Sequence, residues 1–193
     1  MTARLAVALD TTSVTTAQQW AEAVADQADI LKLGLEFYLA NGRAGVGDVR
    51  RAAPGCGLFL DLKLHDIPAT VAGAARAVAD LAPDYLTVHA AGGPAMVEAA
   101  AAALPGTRIA AVTVLTSIGP DDLATLGLPS AADLVPRWAQ VATAAGARID
   151  RHGPAHRQRD GVQTRSQNGT RSGPLRHPYR SDLQARHRTE GIE

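Results

Sequence analysis

Five short apolar runs, each followed by a stretch with helical periodicity, restrict this chain to folds in which a parallel sheet is covered by helices. The runs are Arg4–Leu9 (RLAVAL), Ile30–Gly34 (ILKLG), Gly57–Lys63 (GLFLDLK), Tyr85–His89 (YLTVH) and Ile109–Leu115 (IAAVTVL). Between and after them, helices are predicted over Thr15–Gln27, Gly42–Ala53, Pro68–Leu81, Pro94–Leu104 and Ala131–Ala145. Ser and Thr residues precede the first helix as caps, and proline opens the third, where its missing N–H costs nothing.

Two architectures share this alternation, an open doubly wound sheet and a (β/α)8 barrel. Both place their chemistry at the C-terminal ends of the strands. The nucleotide-binding form of the open sheet carries a Gly-rich turn after its first strand. Here that strand runs into Asp10-Thr11-Thr12, with neither GxGxxG nor GxxxxGK. The barrel is therefore favoured, and five of its eight strands can be found.

The alternation stops near residue 147. Within 1–147, 81 residues belong to the set AVILMFWYC, against 8 of the 46 in 148–193. The first part holds 9 Lys+Arg and 14 Asp+Glu; the second holds 10 Arg and 5 acidic residues, so the net charge of +0 is a cancellation. The chain divides into a partial barrel, 1–147, and a basic Arg-rich tail, 148–193, too polar to bury a core and expected to be disordered. A single cysteine, Cys56, excludes an internal disulfide and a four-cysteine zinc site. No apolar run is long enough to span a bilayer and the N-terminus does not read as a signal peptide, so a soluble cytoplasmic protein is expected.

Polar residues cluster where such folds keep their chemistry. Asp10 ends the first strand, Lys32 lies in the second, Asp61 and Lys63 lie near the end of the third, His89 ends the fourth, and Thr116 and Ser117 follow the fifth. Asp61 and Lys63, two apart in a strand, share a face, with Leu60, Leu62 and Leu64 on the other. Lys32 and Lys63 are the chain's only lysines, against seventeen arginines, and both sit inside apolar runs. A buried ammonium needs partners, and its proton is tunable where that of arginine is not. The plainer reading is a structural Lys63–Asp61 ion pair. In the same way Asp66 could cap the third helix, Asp10 could open a turn, Thr116 and Ser117 could cap the next segment, and His65 and His89 read as structural.

The stretch Asp61-Leu-Lys-Leu-His-Asp-Ile-Pro68 forms a DxKxxDIP pattern. With LAVALD around Asp10, LKLGLEFY around Lys32, HAAGG after the fourth strand and LTS after the fifth, the chain resembles orotidine 5'-phosphate decarboxylases over about residues 4–147. The resemblance implies a β/α barrel that converts orotidine 5'-phosphate to UMP and carbon dioxide in pyrimidine biosynthesis. It also implies a homodimer, and neither metal nor organic cofactor. On that likeness the catalytic residues are Lys63 as proton donor, Asp61 beside the substrate carboxylate, and Asp66, which with Thr70 would reach into a partner subunit's site. Asp10 and Lys32 would hold the ribose hydroxyls. Ile67, Thr116 and Ser117 would complete the substrate contacts, Thr116 and Ser117 near the base. Loss of carbon dioxide leaves a carbanion with no ordinary electron sink, and a fixed ammonium can stabilise and then protonate it.

After Ala147 the family's sixth to eighth apolar strands and its late phosphate-binding residues have no match. An out-of-frame translation of 148–193 would explain the abrupt Arg, Gly, Pro and His bias. Two other readings stand beside the first: another phosphosugar decarboxylase or synthase of the same barrel class, which should need a divalent metal, or a non-catalytic fragment with a basic tail. Nucleic acid and membrane are not expected partners.

Overall fold

Period-two alternation sorts the strand residues onto two faces, and the two faces are buried against different things. The strands are β1 (Arg4–Ala8), β2 (Ile30–Gly34), β3 (Gly57–Leu64), β4 (Tyr85–His89) and β5 (Arg108–Val112). Val7, Leu31, Leu33, Leu58, Leu60, Leu62, Leu86, Val88 and Ile109 form one continuous core with residues of the covering helices. The alternate residues Ala6, Ile30, Phe59, Tyr85 and Ala110, one from each strand, form a separate apolar layer on the concave face. Burying each large aliphatic side chain contributes about 1.5–3 kcal/mol, which makes the helix-covered face the main source of stability. In the concave layer the Phe59 and Tyr85 rings lie 5.5 Å apart, and the Arg108 guanidinium sits 5.3 Å from the Tyr85 ring centroid.

The computed structural model describes residues 4–151 and 162–166. Every strand pair among them is parallel, and β1 to β5 stand side by side in chain order. A doubly wound sheet would reverse direction at a switch point. The uninterrupted order is instead that of a (β/α)8 barrel, here a half-barrel.

Two short strands extend the sheet beyond the five that apolar patterning reveals. β6 (Ile149–Arg151) pairs with β5, and β7 (Val162–Ser166) pairs with β1, so the order is β6-β5-β4-β3-β2-β1-β7. The expectation of disorder throughout 148–193 does not extend to Ile149–Arg151 and Val162–Ser166, which pair onto the two edges of the sheet. Sheet pairing uses main-chain groups, which are the same in a polar segment as in an apolar one. The rest of the tail, 152–161 and 167–193, lies outside the described residues, and with it the expectation of disorder there.

The helices are α1 (Val14–Val24), α2 (Leu35–Ala52), α3 (Pro68–Ala77), α4 (Pro94–Ala103), α5 (Pro120–Thr125) and α6 (Ala131–Ala144). Ser13 caps α1, its side chain accepting from the Thr16 N–H at 3.2 Å. α2 starts directly after β2, seven residues before the predicted Gly42, and kinks at Gly42, whose φ is +60°. Helical periodicity is legible only beyond that kink. α3 gives way to a 3-10 turn, Ala79–Leu81, where one longer helix was predicted. α5 has no counterpart in the sequence reading, being only six residues long.

Candidate active site

The end of β3 is irregular in a way that makes the site. Leu60 pairs with Leu86 and Leu64 with Val88, so Asp61, Leu62 and Lys63 together face the single residue Thr87. This bulge bends the strand, and Lys63 takes a left-handed backbone conformation, φ +50°. A non-glycine residue there carries about 1–2 kcal/mol of strain, which the surrounding contacts must hold.

Four charged side chains meet above the apolar layer. Lys32 Nζ from β2 lies 3.3 Å from Asp61 Oδ2 and 3.5 Å from Asp10 Oδ1. Lys63 Nζ lies 2.9 Å from Asp61 Oδ1. The result is an alternating chain, Asp10–Lys32–Asp61–Lys63, of two cations and two anions. Its burial is graded: the side chains of Asp61 and Lys32 are 5% and 10% exposed, those of Lys63 and Asp10 36% and 53%. Asp61 and Lys32 form a fixed base, and the Lys63 ammonium and the Asp10 carboxylate remain open to a solute. Buried charges are tolerated when paired in this manner.

Thr87, fully buried in β4, completes the group. Its hydroxyl donates to Asp61 Oδ1 at 3.0 Å and accepts from the Lys63 backbone N–H at 2.8 Å. The sequence reading passed over Thr87. The available signal was a hydroxyl in the middle of YLTVH, on the same face as His89.

His89, half-buried, sits beside the array, and its ring centroid is 5.2 Å from that of the exposed His65. Burial holds His89 below the ordinary histidine range, the charges of His65 and Lys63 push the same way, and Asp61 opposes them. In the HAAGG turn a Cβ on Gly92 would displace the flexible end of Met96 and stand 3.2 Å from His65 Cδ2.

The other sequence-predicted residues are not brought into the charged array. Asp66, Ile67 and Thr70 are exposed, in the β3–α3 loop and the first turn of α3. Asp66 Oδ1 accepts from the Ile67 N–H at 2.6 Å, and among the described residues Asp66 makes no ion pair. Ile67, not Asp66, occupies the N-cap position of α3. Thr116 and Ser117 are exposed in the turn after β5; the N-cap of α5 is Gly119, so neither caps that helix. Among the described residues, no group of three or more His, Cys, Asp or Glu side chains is placed to hold a metal ion.

The sequence pattern described as "Orotidine 5'-phosphate decarboxylase / HUMPS family" matches residues 3–167. The chain belongs to this family. The match runs past residue 147 and takes in β7. The chain is 60% identical over 149 residues to the orotidine 5'-phosphate decarboxylase of Thermobifida fusca, a match covering 77% of this chain and 64% of that protein. It thus spans less than two thirds of that relative's length. Among solved structures, an uncharacterized conserved protein from Geobacillus kaustophilus matches with a TM-score of 0.69 at 34% identity, covering 76% of this chain and 72% of that one. The orotidine 5'-phosphate decarboxylase from Lactobacillus acidophilus matches with a TM-score of 0.64 at 32% identity, covering 75% and 69%.

Proposed function

We propose that this chain carries the catalytic half of an orotidine 5'-phosphate decarboxylase, a carboxy-lyase that forms UMP and carbon dioxide in pyrimidine biosynthesis. The observation that carries the reading is the Asp10–Lys32–Asp61–Lys63 chain, with the Lys63 ammonium 2.9 Å from Asp61 and open to a solute. A decarboxylation at a carbon without an electron sink needs a fixed positive charge beside that carbon and a proton to deliver to it. Lys63 supplies both. Asp61 holds the ammonium from one side and presents like charge to the departing carboxylate; as carbon dioxide leaves, that repulsion is relieved. Asp10 and Lys32 offer an acceptor and a donor to sugar hydroxyls.

Asp66, Ile67 and Thr70 lie on an exposed loop and helix start. That supports a role in a partner subunit's site within a homodimer, and Thr116 and Ser117 remain contacts proposed for the base. The reaction is proposed to need no metal or organic cofactor, and the enzyme to work in the cytoplasm. Among the described residues no helix is long and apolar enough to cross a membrane. The compositional change near 147 supports a boundary between the catalytic half and a basic tail.

A decarboxylation assay on purified protein, with and without EDTA, tests the reading. Turnover of orotidine 5'-phosphate that survives EDTA is expected, at a low level in this chain because the family's late phosphate-binding residues have no match. Turnover of a different sugar phosphate that EDTA abolishes would favour a metal-dependent member of the same barrel class.

A further inference from the structure

We infer that Thr87 is the positioning residue of the Lys63–Asp61 pair, fixing with one hydroxyl both the backbone of the lysine and the carboxylate that its ammonium meets. This rests on the proposed decarboxylase reading only where turnover is concerned.

The bulge sets the requirement. Three residues of β3 face one of β4, so the ladder cannot supply a carbonyl to every N–H across the gap. The Lys63 N–H finds a side-chain oxygen instead, Thr87 Oγ1 at 2.8 Å. The hydroxyl's own proton goes to Asp61 Oδ1 at 3.0 Å, the oxygen that also meets Lys63 Nζ at 2.9 Å. A closed circuit results: Lys63 main chain to Thr87, Thr87 to Asp61, Asp61 to the Lys63 ammonium.

A hydroxyl is the smallest group that can accept and donate at once. Valine has the same shape and can do neither. In its place the Lys63 N–H would lose its acceptor and Asp61 would lose one donor, so that Lys63, at φ +50°, would lose its side-chain tie to β4. Thr87 is fully buried, so water could not easily stand in for the missing hydroxyl. A threonine that merely filled space in β4 would lack this dependence, because valine would then serve equally well.

The two-lysine composition allows a direct test on the whole chain. Labelling with 15N-lysine gives two backbone amide signals, Lys32 and Lys63, and Lys32 acts as internal reference. In Thr87→Val the Lys63 amide is expected to shift and to exchange with solvent about tenfold faster, with Lys32 little changed; Thr87→Ser should keep Lys63 near its original protection. Equal Lys63 protection in the parent and in a folded Thr87→Val chain would overturn the inference, as would an unprotected Lys63 amide in the parent. If Thr87→Val loses the Lys32 signal as well and does not fold, Thr87→Ser decides: retained Lys63 protection supports the inference and lost protection overturns it.

A second arm reads turnover. Where the parent chain decarboxylates orotidine 5'-phosphate, Thr87→Val should lower kcat with KM much less affected, and Thr87→Ser should restore it. A parent without turnover counts against the proposed function alone, since the amide arm is independent of it.

Discussion

Lys32 and Lys63, on neighbouring strands, are held by opposite oxygens of one carboxylate: Asp61 Oδ2 meets Lys32 at 3.3 Å and Oδ1 meets Lys63 at 2.9 Å. Asp61 is therefore the anchor of the array, and the energetic weight should fall on it rather than on the exposed Asp10.

Asp61→Asn leaves the buried Lys32 ammonium with only Asp10, 3.5 Å away. Removing one partner of a buried pair costs about 3 kcal/mol or more. Asp10→Asn, at an exposed carboxylate, should cost less than about 1 kcal/mol. Urea denaturation of both variants checks this, and equal losses would show that Asp61 is not the anchor.

Lys63→Ala should leave the fold intact, because this side chain is partly open and the buried Asp61 keeps Lys32 and Thr87 as partners. Turnover should fall by roughly 10³-fold or more, the combined loss of proton donor and fixed charge. The measurement is best made in a chimera that joins residues 1–147 to the remaining strands of the Thermobifida fusca relative. Near-normal turnover with circular dichroism unchanged would remove Lys63 from the donor role.

Protonation of His89 should make the fold acid-sensitive. Its folded pKa lies below the ordinary value of 6.5, first through burial, then through His65 and Lys63. The unfolded chain therefore takes up a proton that the folded chain refuses. The sign follows: this contribution to stability is fully present above about pH 6.5 and is lost as pH falls from there through the lower folded value. Denaturation midpoints at pH 7.5 and pH 5.5 should differ less in His89→Asn than in the parent, and an unchanged difference would refute this.

Leu60→Ala tests the helix-covered face. Leu60 has no solvent exposure and lies one residue before the bulge. The cavity should cost about 3 kcal/mol, within the usual range for such truncations. Thermal or urea unfolding measures it, and a loss under about 1 kcal/mol would mean that this layer is loosely packed.

The sequence made part of this site legible. Strict alternation in LFLDLKL put Asp61 and Lys63 on one face and the leucines on the other, and the scarcity of lysine drew attention to Lys32. The bulge was not legible, because it depends on how many residues of β4 stand opposite β3, and pairing counts leave no trace in either segment alone. Thr87 was missed for the same reason: threonine is ordinary in a strand, and its second duty appears only once a gap exists for it to fill. The early start of α2 was hidden by Gly42, which interrupts the period. β6 and β7 were hidden because their place in the sheet is a matter of main-chain pairing and not of apolar residues.

The in-order sheet has a consequence for how the molecule comes into being. From β1 to β5, each strand's neighbour is the one synthesised just before or just after it. Every residue of the Asp10–Lys32–Asp61–Lys63–Thr87 group lies within the first half of the chain. Its widest contact, between Lys32 and Asp61, bridges 29 residues. Only the pairing of β7 with β1 must bridge a long stretch of polypeptide. The charged cluster can therefore assemble as a nascent chain leaves the ribosome, before its last third has been made.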